Sequence, residues 1–493
     1  MYPELIQIGF NILFPIIPSM EGWARDWLLA RRARGEKGLE VKKLNNSFYV
    51  YRSTTIWIKE EKRRKKVSTY LGRLDPEQGL VEGEKHVARV RITSIKEQGN
   101  ALLLDRLFED IRPTLEDGFP SYWREMYALA VLRAIAPTPL SWAEGRWEKL
   151  EDVRSLRPDL DPRRLSEMLQ AVGLDRAGQA ELFRQLAVNG EELVYDLSCF
   201  FSRSDEVNLA EKGQNKDHMH LPQVNLALLC SPEQGLPTMI RALPGSVRDV
   251  ATIYASMKEV GIEGKVLILD RGFFGEEVLR FLEHRSLSYV LPARRNSKLY
   301  EQVLVGEEEF LYHDRLIHFG KAYDGHRWLY RFEDTQMRVD EERNLAKMVK
   351  QGAMSKAEKA GKMDRVGHIL IVSDLDRGPE AVFQLYKRRD KVEKQFETWK
   401  GTLHADRTWL RNDASIFGHV FVSFLSLYLL ARLEQALRQA GLLSKYSARH
   451  VLDEYSKAYL VRSGQTILEF EVPKGVRELD RRLGFDLFPK LQS

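Results

Sequence analysis

Cysteine is scarce: the 493 residues hold two, Cys199 and Cys230. Two thiols build neither a disulfide scaffold nor a cysteine-rich zinc module, and a reducing cytoplasm suits such usage. Long uninterrupted apolar runs are missing as well. The stretch LIQIGFNILFPII at 5–17 is short, broken by Gln7, Gly9, Asn11 and Pro15, and has no basic stretch before it. It fits neither a signal peptide nor a membrane span. A second stretch, FGHVFVSFLSLYLLARLEQALRQA at 417–440, reads as a buried helix whose ends are too polar for a span. No membrane association is expected. There is no internal repeat and no low-complexity tract. Neither sign of charge dominates: a net charge of +5 permits a nucleic-acid partner without requiring one.

What is present is length enough for two or three domains, with positive charge gathered in short runs. These are KEEKRRKK at 59–66, RPDLDPRR at 157–164 and KRRDKVEK at 387–394. Each run alone reads equally as a solvated face. Patterning divides the chain into a basic, β-rich N-terminal region (1–115) and a helical region (116–190). A first core part (191–295), an insertion (296–366), a second core part (367–440) and a helical appendage (441–493) follow. In the first region WARDWLLARRARGEKG is a basic helix, and 46–74 alternates like a hairpin with a basic tip at 62–66. In the second, DPRRLSEMLQAVGLDRAGQAELFRQL reads as an Asp-capped helix, a Gly turn and a second helix. That pair either reads DNA or only packs.

At Glu192 the period changes. ELVYDLSCFF is a strand with Asp196 in its interior, where an acid is disfavoured. Asp196 is a satisfied core residue, a surface alternation position or a metal ligand. QVNLALLC and LPTMIRAL follow as a hairpin, then a helix, then KVLILD, a run typical of a strand buried on both faces. It ends in Asp270, and the carboxyl end of a central strand is where α/β folds place their chemistry. GEEVLRFLEHR is a helix and SLSYVLPA a strand. Strand, strand, strand, helix, strand, helix, strand, with acids on the first and fourth strands, is the layout of the ribonuclease H-like fold. The expectation is therefore an α/β protein with a mixed sheet flanked by helices. Residues 296–366 are expected to interrupt it as a small antiparallel sheet and a charged helix, before GHILIVSD resumes a buried strand.

From Pro379 to Lys400 the pattern predicts one continuous helix. At about 100° per residue, Tyr386, Arg389, Glu393 and Lys400 fall within about 60° of one another, beside an apolar stripe of Val382, Leu385, Val392, Phe396 and Trp399. A solvated helix with internal ion pairs has the same pattern. Two Asp on neighbouring strands and a Glu on a facing helix would make an oxygen-rich pocket for hard cations.

The spacing Tyr-x2-Arg-x3-Glu-x6-Lys matches the signature of a branch of bacterial insertion-sequence transposases, and the sequence resembles these Asp-Asp-Glu enzymes over most of its length. VYDLSCFF resembles the first-Asp strand, with Ser198 where Thr is common. GQNKDHMHLPQVNLALL, GLPTMIRALPGSVRD, LDRGFF, FGHVFVSFLSLYLLARL and TYLGRLD resemble further segments. The resemblance implies DNA cleavage and strand joining with two Mg²⁺ (Mn²⁺ substituting) on Asp196, Asp270 and Glu393. It implies phosphate contacts from Tyr386, Arg389 and Lys400, with Arg388 beside them. It also implies double-stranded DNA partners (terminal inverted repeats and target DNA), a homodimer on paired ends and a cytoplasmic, nucleoid-associated location. Trp328 is a candidate for stacking on a flipped base, or a core Trp. His218 and His220 are spaced for a metal or for loop contacts, and Asp249 is an acid near the core. Two other readings stand beside this one: a transposase-derived DNA-binding protein without strand transfer, and a ribonuclease H-like nuclease.

Overall fold

The structure, a computed structural model, describes residues 22–45, 47–58, 63–82, 92–188, 190–213, 221–247, 250–261, 264–464, 466–468 and 472–488. The apolar stretch 5–17, residues 59–62 of the basic run, His218, His220 and Asp249 lie outside the described residues. The chain divides into two compact units, Met1–Arg91 and Ile92–Ser493.

In the first unit, α1 (Gly22–Ala33) precedes a four-stranded antiparallel meander of β1 (Leu39–Leu44), β2 (Ser47–Ile58), β3 (Arg63–Asp75) and β4 (Gly79–Glu82). Its turns are chemically specified. Asn45 takes a φ of 53° between the paired ends Leu44 and Ser47. The Asp75 carboxylate accepts from the Glu77 and Gln78 N–H groups ahead of Gly79 at φ 75°. A small core of Ala24, Leu28, Leu39, Phe48, Val50 and Leu74 joins the helix to the base of the sheet.

The second unit opens with β5 (Ser94–Glu97) and the helices α2 (Gly99–Phe108), α3 (Arg112–Gly118), α4 (Trp123–Ile135), α5 (Ala143–Trp147), α6 (Pro162–Leu174) and α7 (Arg176–Ala187). Asp161 and Asp175 cap α6 and α7 by accepting from the Arg163 and Gly178 N–H groups. Next come β6 (Glu192–Phe201), β7 (Glu211–Lys212), β8 (Pro222–Cys230), β9 (Pro237–Pro244), α8 (Val250–Val260), β10 (Val266–Ile268), α9 (Glu276–His284) and β11 (Tyr289–Pro292). β12 (Glu309–Tyr312), β13 (Arg315–Tyr323), β14 (Trp328–Asp334), α10 (Thr335–Lys350) and α11 (Lys356–Lys362) lead to β15 (His368–Ser373). α12 (Pro379–Lys387), α13 (Asp390–Glu397), α14 (Asp413–Gln439), α15 (Ala448–Tyr455), β16 (Tyr459–Ser463), β17 (Thr466–Leu468) and α16 (Lys474–Leu483) complete the chain.

One mixed sheet organises this unit. β6, β8 and β9 are antiparallel neighbours, β10 lies parallel to the other edge of β6, and β11 lies parallel to β10. The first and fourth strands are thus side by side. The insertion does not stand apart as a small sheet of its own. β14 pairs antiparallel with β15 from Trp328↔Ser373 to Glu333↔His368, so β12–β14 continue the central sheet. The buried Leu329, Tyr330 and Phe332 give that edge a core to share. The C-terminal segment differs from the expected helices alone, because β16 pairs with β5 across the length of the unit.

α14 runs through the core between the helical region and the sheet. By length and composition it could cross a membrane, with a window of mean hydropathy 1.8, yet 89% of that window is buried inside the protein. Its crossing with α6 is close enough to require glycine. A Cβ on Gly418 would meet the Leu169 carbonyl oxygen at 1.9 Å, and one on Gly173 the Ala414 oxygen at 1.9 Å. α6 buries Leu165, Met168, Leu169 and Val172 there, so the helical pair packs tightly whatever else it does.

Candidate active site

The two strand acids occupy matching positions. β10 pairs in parallel with β6 through Ile268↔Val194, and Asp270 and Asp196 each lie two residues further along in the same direction. Adjacent strands are about 4.8 Å apart, so the two acids project from neighbouring points of the sheet. Asp196 is buried and accepts a hydrogen bond from the Leu197 N–H at 2.8 Å. Asp270 lies two residues beyond the end of β10 and caps the short helical turn Arg271–Phe273, accepting from the Gly272 N–H at 3.4 Å. Phe273 packs edge-on against Tyr195, tying that turn back to β6.

Glu393 comes from the segment predicted as one continuous helix, and here the structure corrects the prediction. The helix breaks at Arg388–Arg389. The bonds Arg389 N–Tyr386 O, Lys391 N–Arg388 O and Val392 N–Arg389 O reach back three residues instead of four. Such overwinding turns the chain by about 20° more per residue, yet Arg389 still lies over the Tyr386 ring at 6.0 Å and pairs with Glu393. After Glu397 the chain underwinds into a π turn at Thr398–Thr402, with the Leu403 N–H reaching the Thr398 oxygen. π turns of this kind frequently mark functional sites. α13 is fastened to the β8–β9 hairpin by Lys391 on the Pro232 carbonyl and Gln395 on the Gly235 carbonyl at 3.1 Å. Val392, Phe396 and Trp399 are buried beneath it.

Arg389 joins the three elements. Its guanidinium meets Asp270 at 3.0 Å and Glu393 at 2.9 Å and is itself only 16% exposed. Burial alone would lower its pKa. Asp270, Tyr386, Glu393 and Asp196 together outweigh that and hold it above its ordinary value. Two of the acids, Asp270 and Glu393, therefore share one cation, and Asp196 adds to the negative field acting on it. Among the described residues, no group of three His, Cys, Asp or Glu side chains is gathered closely enough to hold a metal ion. The donor set nevertheless suits a hard cation, because the Asp270 and Glu393 carboxylates already share a positive charge and Asp196 stands on the adjacent strand.

Tyr386 is half-buried beside this cluster, and burial raises its pKa against the opposing charges of Arg389 and Arg271. Its hydroxyl therefore remains a donor at neutral pH. Arg388 is exposed at the helix break. Lys400 is half-buried in the π turn and has no ion pair among the described residues. Trp328 is not brought to the site. β14 lies three strands from β10 in the order β14-β15-β11-β10, roughly 14 Å across the sheet. The Trp328 ring lies against Tyr323 and under the Lys321 ammonium at 4.2 Å.

Two side chains carry signals that sequence reasoning missed. Arg271 faces Tyr386, and its Nε is buried without a hydrogen-bond partner. Its position next to Asp270 was the available signal. Trp409 follows the π turn, 96% exposed between Arg407 and Arg411. An indole so exposed is unusual, and nothing in the pattern of the surrounding sequence foretold it.

Residues 201–429 match the family model described as "Transposase DDE domain". The match contains Asp270 and Glu393, begins five residues after Asp196, and covers somewhat less than half of the chain. No curated protein matches the chain. Among solved structures, a piggyBac transposase synaptic complex with hairpin DNA is similar at 12% identity and a TM-score of 0.34. That likeness covers 73% of this chain and 69% of the other.

Proposed function

We propose that this chain is a DNA transposase with a ribonuclease H-like core, of the insertion-sequence branch with the Tyr-Arg-Glu-Lys signature. It cuts DNA at the terminal inverted repeats of its element and joins the freed 3′-hydroxyl ends to target DNA. The observation that carries this reading is that Asp270 and Glu393 share Arg389 while Asp196 stands at the matching point of the adjacent strand, in and beside a segment matching a transposase DDE domain.

In this reading Asp196, Asp270 and Glu393 hold Mg²⁺, with Mn²⁺ as a substitute. Lewis-acid activation of the attacking oxygen and stabilisation of the leaving one is the chemistry such cations supply when bound. The chain's own residues do the rest. Asp196 is rigid, fixed by burial and its backbone bond, and Asp270 is fixed by its capping role. Gln395 and Lys391 hold the Glu393 helix in place. Arg389 exchanges its carboxylates for a phosphate oxygen when DNA enters, a charge-assisted contact of the same kind. Tyr386 donates its hydroxyl, and Arg388 and Lys400 add positive charge along the backbone. A homodimer holding two DNA ends in the cytoplasm completes the proposal.

One observation favours a second reading, a transposase-derived DNA-binding protein that no longer cuts: Arg389 sits on two of the acids. A nuclease without strand joining is the third. One experiment separates them. Labelled duplexes carrying the DNA that flanks the gene are incubated with the protein, Mg²⁺ and a target plasmid. Cut ends joined to the plasmid support transposition. Cut ends never joined support the nuclease, and bound but uncut DNA the derivative.

A further inference from the structure

Positive charge is concentrated in the N-terminal unit. Residues 1–91 hold 18 Lys and Arg against 11 Asp and Glu, a net charge of +7, which leaves −2 for residues 92–493. Long-range attraction of a polyanion therefore falls to the first unit.

Within it, β2 and β3 pair far beyond the core they stand on. The core reaches Phe48, Val50 and Leu74, at the start of the hairpin. From Tyr51↔Tyr70 to Ile58↔Arg63 the ribbon runs on for seven residue steps, about 24 Å. Residues 54–57 and 63–69 are exposed, so both faces of this outer part are open.

The two faces differ in chemistry. Ser53 Oγ lies 2.7 Å from Ser68 Oγ, which puts this pair on one face. The strand period of two then adds Thr55 with Lys66 and Trp57 with Arg64 to that face. It offers hydroxyls, two cations and an indole that is 57% exposed. The other face carries Thr54 with Val67 and Ile56 with Lys65. Lys66 pairs with Glu40, a surface ion pair of little worth that a phosphate can replace.

We propose that the β2–β3 ribbon is a duplex-DNA-binding arm that lays its Trp57 face into the major groove. Arg64 and Lys66, with Arg63 and Lys65 beside them, neutralise flanking phosphates. A two-stranded ribbon fits a groove about 12 Å wide, and Trp57 loses its exposure against sugar and base edges. The inference takes only its ligand, DNA, from the proposed function.

The test uses the full chain and a fluorescein-labelled 30-base-pair duplex of arbitrary sequence, in EDTA, with anisotropy read across a KCl series. Replacing Arg63, Arg64, Lys65 and Lys66 together by Ala should reduce the log–log salt slope by about 3.6, at roughly 0.9 per phosphate contact. Affinity at fixed salt should fall at least tenfold. Exchanging Lys for Arg and Arg for Lys at the four positions keeps the charge and should restore the slope. Trp57→Ala should weaken binding about tenfold with the slope unchanged, whereas Ile56→Ala on the opposite face should change it less than twofold. Circular dichroism checks that each variant is folded. A quadruple variant that binds like the wild type overturns the arm and leaves the DNA-acting reading intact. A wild type that binds no duplex, or prefers single-stranded RNA through these residues, overturns both.

Discussion

Arg389→Ala removes the one guanidinium that Asp270 and Glu393 share. A hydrogen bond to a charged group contributes about 1.5–3 kcal/mol when desolvated, and an exposed pair about 0.2–1 kcal/mol. The Arg389 side chain is 16% exposed, but Asp270 is 34% and Glu393 42% exposed, so solvent screens both pairs. Together they should be worth about 1–2 kcal/mol. Unfolding entropy near 2.1 cal/mol/K per residue over roughly 400 residues turns that into a fall in Tm of about 1–2.5 °C in EDTA. The loss arises because the acids are left without a counter-charge, so Glu393→Gln should cost less in the Arg389→Ala background than alone. A double-mutant cycle should report a coupling of at least about 0.5 kcal/mol. Mg²⁺ should then raise the Tm of Arg389→Ala more than that of the wild type, since no guanidinium competes for the carboxylates. Differential scanning fluorimetry of the four proteins, with and without Mg²⁺, measures all of this. An unchanged Tm, additive mutations and equal responses to Mg²⁺ would refute the reasoning.

Three other perturbations test the surrounding structure. Gln395→Ala leaves the buried Gly235 carbonyl unpaired and should cost about 1–3 kcal/mol; it should slow DNA cleavage while leaving DNA affinity unchanged, read by anisotropy and gel assay. Gly418→Ala gains about 1 kcal/mol of helix propensity but forces a methyl against the Leu169 carbonyl. Overpacking of 1–3 kcal/mol or more should win, and urea unfolding should show a lower midpoint. His419 donates to the Ala405 carbonyl in the core, and burial, helped by Arg133, pushes its pKa down to about 3. The unfolded chain therefore binds a proton that the folded one does not. Stability from this group is full above about pH 6.5 and falls as pH drops toward 3, by up to about 1.4 kcal/mol per unit. His368, pushed down to about 4 by burial and Arg331, acts in the same direction. His419→Gln should flatten the decline between pH 6.5 and 4.5, and an unaltered slope would count against it.

Much of the sheet was legible because its strands are continuous apolar runs bounded by turn residues, as in QVNLALLC and KVLILD. The neighbouring positions of Asp196 and Asp270 followed from element order alone. The break at Arg388–Arg389 was not legible, since no Gly or Pro marks it and KRRDKVEK is mostly good helix formers, Asp390 and Val392 aside. Tertiary contacts of Arg389 and Lys391 accompany the overwound turn there. Long-range pairing was hidden for another reason. β14 on β15 and β16 on β5 join segments whose local patterns say only that each is a strand. Sequence left Trp328 between base stacking and a core position because its neighbours Lys321 and Tyr323 are side chains of the facing strand β13. α14 was legible as a buried helix from its polar ends, and the surrounding helices and sheet bury 89% of its apolar window.

The most direct test of the central claim is cleavage of a supercoiled plasmid carrying the gene with its flanking DNA, by wild type, Asp196→Asn, Asp270→Asn and Glu393→Gln. The account predicts Mg²⁺-dependent breaks at two fixed positions outside the gene for wild type alone, with DNA binding retained by all four. Breaks that persist in any of the three variants, or a wild type that binds the plasmid and never cuts it in Mg²⁺ or Mn²⁺, would contradict it.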